Sequence, residues 1–122
     1  MNNEQSITFQ KTKQFAVRII HFAKYLEERH EQMFARQILK SGTSIGANTR
    51  ESWNAQSKAD FINKLSIALK EADETAYWLE LLVESGIIDQ ATFQPLRNDL
   101  IEIIALLTAS IRTAKNNLKA EE

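Results

Sequence analysis

The chain contains no cysteine. That single absence excludes disulfide staples, thiolate nucleophiles and Cys-based zinc or iron–sulfur sites, and it suits a reducing compartment. Proline occurs once and glycine three times in 122 residues, well below ordinary usage. With so few breakers the elements are long and uninterrupted, and the abundance of Ala, Leu, Glu, Lys and Gln makes them helices. No apolar run approaches the ~20 residues that cross a bilayer. The best, Leu100 to Leu107, is eight residues long and is interrupted by Glu102. The opening Met1-Asn2-Asn3-Glu4-Gln5-Ser6 has no apolar signal-peptide core. The expectation is a cytoplasmic protein with no membrane contact. Charge of one sign is also lacking: the net charge is −1 and the pI about 6.1. Nucleic-acid binders usually carry a basic footprint, because phosphate neutralisation dominates their affinity. The global charge gives none, which leaves only a local basic face created by folding.

What is present is ordinary for a globular domain: 43% hydrophobic and 25% charged residues. A chain of this length forms one domain with a real core. Residues 1–8 are polar and read as a flexible N-terminus, 9–118 as the folded body and 119–122 as a flexible C-terminus. A first helix is predicted from about Phe9 to Arg29. Phe15, Ile19, Phe22 and Leu26 step by 4, 3 and 4, with Ala16, Ile20 and Ala23 widening the stripe.

The second helix should span about Gln32 to Asn54, with Phe34, Ile38, Ile45 and Trp53 on its apolar side. Its middle, Ser41-Gly42-Thr43-Ser44-Ile45-Gly46-Ala47-Asn48, has loop-like composition. Each Gly costs roughly 1 kcal/mol against Ala in a helix. A loop there would split the region into two short helices. A continuous helix is the favoured reading: Gly42 and Gly46 lie one turn apart, and small residues so placed let a neighbouring helix come close. The hydroxyls can bond back to the preceding turn. Gly42, Ser44, Gly46 and Asn48 are therefore candidate helix-packing residues.

Ser57-Lys58-Ala59-Asp60 resembles a capping box opening a third helix. Phe61, Leu65, Ala68, Ala72, Thr75, Leu79 and Leu82 form a heptad-like seam. Ile62, Leu69, Ala76 and Val83 flank it. Gly86 is placed to end the helix as a C′ residue. Asp89 or Thr92 caps a fourth helix, with Pro95 expected in its first turn. Its seam is Leu96, Leu100, Ile103, Leu107, Ser110, Ala114 and Leu118, and Ile101, Ile104, Leu106 and Ile111 lie outside it. Short connections favour antiparallel neighbours. The predicted fold is an all-α, antiparallel, up-down-up-down four-helix bundle.

Helices 3 and 4 carry more apolar surface than one stripe each. Left exposed, it would exceed the patches typical of soluble monomers, so the chain is expected to form a homo-oligomer. The alternative is that the bundle twists and buries both stripes within one chain.

The residues offer little chemistry. Glu71 and Glu74 lie one turn apart on helix 3, and Glu51 on helix 2 is placed to face them as a candidate bundle polar network. Di-metal bundles need two Glu-x-x-His motifs and two further Glu residues. His21 and His30 do not supply that pair, so no metal or other cofactor is expected. Gly42-x-x-x-Gly46 lacks the Lys-Ser/Thr ending of a phosphate loop. Trp53, Tyr77 and Trp78 have the type of ring that stacks bases. Their helical spacing, with Glu74 and Glu80 nearby, fits core or subunit-interface roles better. Arg36, Lys40, Arg50, Lys64 and Lys70 are the candidate basic face, against the plainer reading of a solvated surface. No catalytic constellation emerges, and no enzyme is expected.

Four segments carry a resemblance: Phe15-Ala16-Val17-Arg18-Ile19-Ile20, Ser41 through Asn48, Asp60 through Ala72, and Glu74 through Leu82. Together they look like the four helix bundle proteins also called 23S rRNA intervening-sequence proteins, over most of the chain. The resemblance implies an antiparallel bundle assembling into a ring-shaped homopentamer, with no settled biochemical activity. Some members are encoded within insertions in 23S ribosomal RNA genes. A similar fold occurs in the accessory variability protein of diversity-generating retroelements, which engages nucleic acid through a basic surface. After Ala47-Asn48 the family pattern continues with Ile, a small residue and Glu. Here it reads Thr49-Arg50-Glu51, which keeps the Glu and replaces the apolar residue.

Overall fold

The computed structural model describes residues 2–121. It consists of α1 (Asn3–Glu28), α2 (Gln32–Ser52), α3 (Lys58–Glu84) and α4 (Gln90–Ala120). The links are residues 29–31, 53–57 and 85–89. Links this short force successive helices antiparallel, giving the up-down-up-down bundle. Each helix packs on its chain neighbour and α1 closes against α4.

The helix ends follow from local chemistry. α1 starts at Asn3, not at Phe9, because Asn2 and Gln5 form a capping box. Asn2 Oδ1 accepts from the Gln5 N–H at 2.8 Å, and Gln5 Oε1 accepts from the Asn2 N–H at 3.2 Å. Satisfying two orphan donors lets the polar segment join the helix, and one of its residues, Thr8, is buried. α4 likewise continues to Ala120, past the expected Leu118. Met1 and Glu122, the outermost residues of the expected flexible termini, lie outside the described residues.

α1 ends in a Schellman motif: Glu31 N–H donates to the Leu26 carbonyl at 2.9 Å and His30 N–H to that of Glu27 at 3.0 Å. The C′ position is His30, at φ 64°, a left-handed conformation that costs a side-chain-bearing residue roughly 1–2 kcal/mol. α3 ends the same way, with Gly86 at φ 78° filling that position without penalty.

Ser57 caps α3, its Oγ accepting from Asp60 N–H at 3.0 Å. The reciprocal arm reaches one residue further back than in a standard box: Asp60 Oδ2 accepts from Gln56 N–H at 3.3 Å. Asp89 caps α4 by accepting from Thr92 N–H at 2.8 Å. Since α4 begins at Gln90, Pro95 falls in its second turn rather than its first. Pro95 and Ala91, whose carbonyl loses its usual partner, are both exposed.

The core comprises the predicted stripes. Phe15, Ile19 and Leu26 of α1, Ile38 and Ile45 of α2, Leu65, Leu79 and Leu82 of α3, and Leu100, Ile103 and Leu107 of α4 are buried. Each such side chain contributes about 1.5–3 kcal/mol. Ile20 is a correction: it points outward, 39% exposed, so only Ala16 and Ala23 widen the α1 stripe. α2 passes unbroken through its two glycines. Among the described residues no helix is long and apolar enough to cross a membrane.

Candidate functional site

Gly42 and Gly46 form the contact between α1 and α2. A Cβ on Gly42 would lie 2.8 Å from Ile19 Cγ2, inside van der Waals contact, and one on Gly46 would lie 3.5 Å from the Thr12 backbone. Ser44, on the same helix, is partly buried. Its hydroxyl donates to the Lys40 carbonyl at 2.6 Å, as Thr43 does to that of Leu39 at 2.6 Å. Asn48 Nδ2 similarly donates to the Ser44 carbonyl at 2.9 Å. Thr49, where the family pattern is apolar, is buried and donates to the Ile45 carbonyl at 2.8 Å. A back-bonded hydroxyl has no unmet demand, so Thr takes an apolar position at little cost.

Of the three candidate network carboxylates, Glu71 and Glu74 are neighbours, while Glu51 faces Lys64 instead. Glu51 is exposed and lies 4.0 Å from Lys64. Glu74 is exposed as well, and only Glu71 is partly buried. Burial, then the neighbouring Glu74 carboxylate, raises the Glu71 pKa, while Lys40 and Lys70 oppose the rise. The polar link across the bundle is a different one. The Thr75 hydroxyl, fully buried, lies 2.8 Å from the Ser41 hydroxyl and 2.8 Å from the Glu71 carbonyl oxygen. Thr75 occupied a seam position, which was the available signal.

Three of the five candidate basic residues have an acidic neighbour. Lys64 faces Glu51, and Lys40 and Lys70 flank Glu71. Arg50 stacks over Phe9 and Trp53, 5.4 and 5.3 Å from their ring centres. Arg36 is exposed one turn before Lys40. Glu27 and His30, the one Glu-x-x-His spacing of the chain, are exposed where α1 ends. No group of three or more metal-ligating side chains occurs among the described residues. The second carboxylate with a displaced pKa is Asp89, lowered by its hydrogen bonds from Thr92 in the helix cap.

Two surface features remain. On the α3–α4 face, Ala76, Leu79, Phe93, Leu100, Ile101 and Ile104 line an apolar groove of about 170 Å³, with Glu80 and Arg97 also on its walls. Ile101 is half exposed there, while Leu69, Ala76 and Ile104 are partly buried against the core. At the end of the bundle where α2 leads into α3, a larger cavity of about 390 Å³ is bordered by Gln5, Ser52, Trp53, Ser57, Phe61 and Asn117 among others. The α1–α4 seam is instead crossed by ion pairs, Lys11 with Glu102 at 3.3 Å and Arg18 with Asp99.

The sequence profile of the family described as "23S rRNA-intervening sequence protein" matches residues 4–109. A crystal structure from Bacteroides thetaiotaomicron, described as a protein of unknown function from the S23 ribosomal protein family, shares 50% sequence identity and a TM-score of 0.87. That match covers 89% of this chain and 98% of the other. A comparison with curated proteins finds no match. A profile spanning most of the bundle, together with half-identical sequence on the same fold, places the chain in the 23S rRNA-intervening sequence protein family, whose function is unknown.

Proposed function

We propose that this protein is a non-enzymatic, self-assembling bundle of the cytoplasm, a homo-oligomer that is pentameric as the family resemblance implies. The observation that carries this reading is the α3–α4 face. Its groove is lined mainly by apolar side chains and Ile101 stands half exposed beside it. Glu80 and Arg97, of opposite sign, share the groove, so a second copy can meet it with complementary charge. A head-to-tail contact that repeats by rotation closes into a ring. The assignment of no chemistry is supported by the two displaced carboxylates, both of which have structural explanations: a helix cap for Asp89, and partial burial beside Glu74 for Glu71.

Light scattering coupled to size exclusion, at low and moderate salt, tests the proposal. The expected mass is several times the 14.0 kDa of one chain. Because the contact is mainly apolar, the mass should persist at moderate salt. A monomer under both conditions refutes self-assembly.

A further inference from the structure

The cavity at the α2–α3 end of the bundle is an open pocket bordered by residues of all four helices. Three lobes of about 390, 90 and 10 Å³ meet there, and Gln5 and Phe61 line all three. The main lobe falls within the size range of small-molecule sites, roughly 300–1,000 Å³. The smallest has room for about one water. It is lined by Thr8, Thr49, Ser52 and Ser110. Thr8 is 2% exposed, and its hydroxyl has no hydrogen-bond partner. A buried hydroxyl left unpaired costs about 1–3 kcal/mol, and this lobe is the size of the single water that would satisfy it.

The lining specifies what kind of partner. Trp53 is held in place by Phe9, at 4.7 Å between ring centres, and by Arg50, and it lines the main lobe together with Phe61. Gln5 uses its Oε1 in the helix cap, which leaves its amide N–H groups without a partner among the described residues. The Asn117 amide has none either. The Ser57 hydroxyl accepts from Asp60 N–H and keeps its own proton to donate. Lys58, on the wall of the main lobe, is paired with Glu121, and Glu4, on the wall of the 90 Å³ lobe, accepts from the Ser110 hydroxyl at 3.4 Å. Aromatic rings and side-chain amides together on the main lobe are the recognition chemistry of a flat heteroaromatic edge. Asn and Gln amides match the donor–acceptor edges of bases, and aromatic rings stack on their faces.

We infer that this cavity is a binding site for a single free nucleobase or nucleoside, with Trp53 and Phe61 as its walls and Gln5 and Asn117 as its hydrogen-bonding groups. The site does not depend on the assembly proposed above, since all its residues come from one chain.

The test is titration of the four common ribonucleosides against ¹⁵N-labelled protein, following the two tryptophan indole signals. The expected result is a saturable shift of the Trp53 indole with at least one nucleoside, while Trp78, distant from the cavity walls, stays still. Asn117→Ala, at an exposed position, and Ala114→Leu, which fills the main lobe, should each weaken binding at least tenfold with helicity unchanged. Absence of any Trp53 shift at millimolar nucleoside overturns the inference, as does a shift that both variants leave intact. It also fails if a single-stranded oligonucleotide binds with steep salt dependence while nucleosides do not, because phosphate contacts would then carry the affinity.

Discussion

Two glycines one turn apart on α2 have opposite tolerances for a methyl group. Gly42 has none to spare: a Cβ would sit 2.8 and 2.9 Å from the two γ-carbons of Ile19, a fully buried side chain with little freedom to yield. Gly42→Ala should destabilise by about 1–3 kcal/mol, the usual cost of overpacking, even after the gain in helix propensity. At Gly46 the nearest atoms lie 3.4–3.5 Å away, in ordinary contact. Gly46→Ala should be neutral or stabilising by up to about 1 kcal/mol, the propensity difference. Urea denaturation of the two variants checks the pair, and equal effects would mean that α1 does not discriminate between the positions. Glu71 permits a second prediction at this scale. Its pKa is higher in the fold than in the unfolded chain, through burial and Glu74. The folded state therefore favours the protonated form, and that contribution is fully present below the ordinary value of 4.5. It is lost as pH rises through the folded value. Glu71→Gln stays neutral throughout, so the variant should gain on the parent as pH rises from 4.5. The effect is small, because the group is partly exposed and Lys40 and Lys70 offset it. Parallel stability curves from pH 4 to 7 would remove Glu71 from the account.

At the scale of the element, hydrophobic spacing made all four helices legible, including α2 through its loop-like middle. The back-bonding of Thr43, Ser44 and Thr49 explains why that stretch holds. Boundaries were less legible where a cap reached across polar residues. Asn2 and Gln5 have the spacing of a capping box, but the segment after them lacks the apolar run that usually confirms one. The site was harder still to read. A buried hydroxyl such as Thr8 looks in sequence like a solvated one, and Gln5, Trp53, Phe61 and Asn117 come together only when the ends of four helices meet. The glutamates misled for a related reason: one-turn spacing placed Glu71 and Glu74 together, yet nothing in the sequence set the rotation that points Glu51 to Lys64 instead. The N-terminal cap carries its own prediction. Asn2→Ala removes the acceptor for Gln5 N–H and should cost about 1 kcal/mol. Hydrogen exchange should accelerate selectively in the first two turns of α1, and uniform acceleration along α1 would show that the cap stabilises the whole bundle instead.

For the whole molecule, the decisive comparison is between two outward isoleucine or valine side chains of nearly equal exposure. Ile101, 50% exposed, borders the apolar groove on the α3–α4 face, whereas Val17, 49% exposed, lies on α1 without such a groove around it. Neither contributes much to the core, so replacing either with Glu should leave the monomer's fold intact, with stability changes near the ±0.5 kcal/mol typical of surface sites. Burial at an interface changes this symmetry. A carboxylate forced into an apolar contact loses its solvation, a cost of several kcal/mol per ion that Arg97, one turn away on the groove wall, offsets only in part, and the cost is repeated at every contact of a closed ring. Ile101→Glu should therefore reduce the particle to the mass of one chain, while Val17→Glu should leave it assembled. Light scattering of both variants at matched concentration reads the result directly. If Val17→Glu dissociates the particle and Ile101→Glu does not, the chain assembles through α1, and the apolar surplus of α3 and α4 serves only the seam between those two helices.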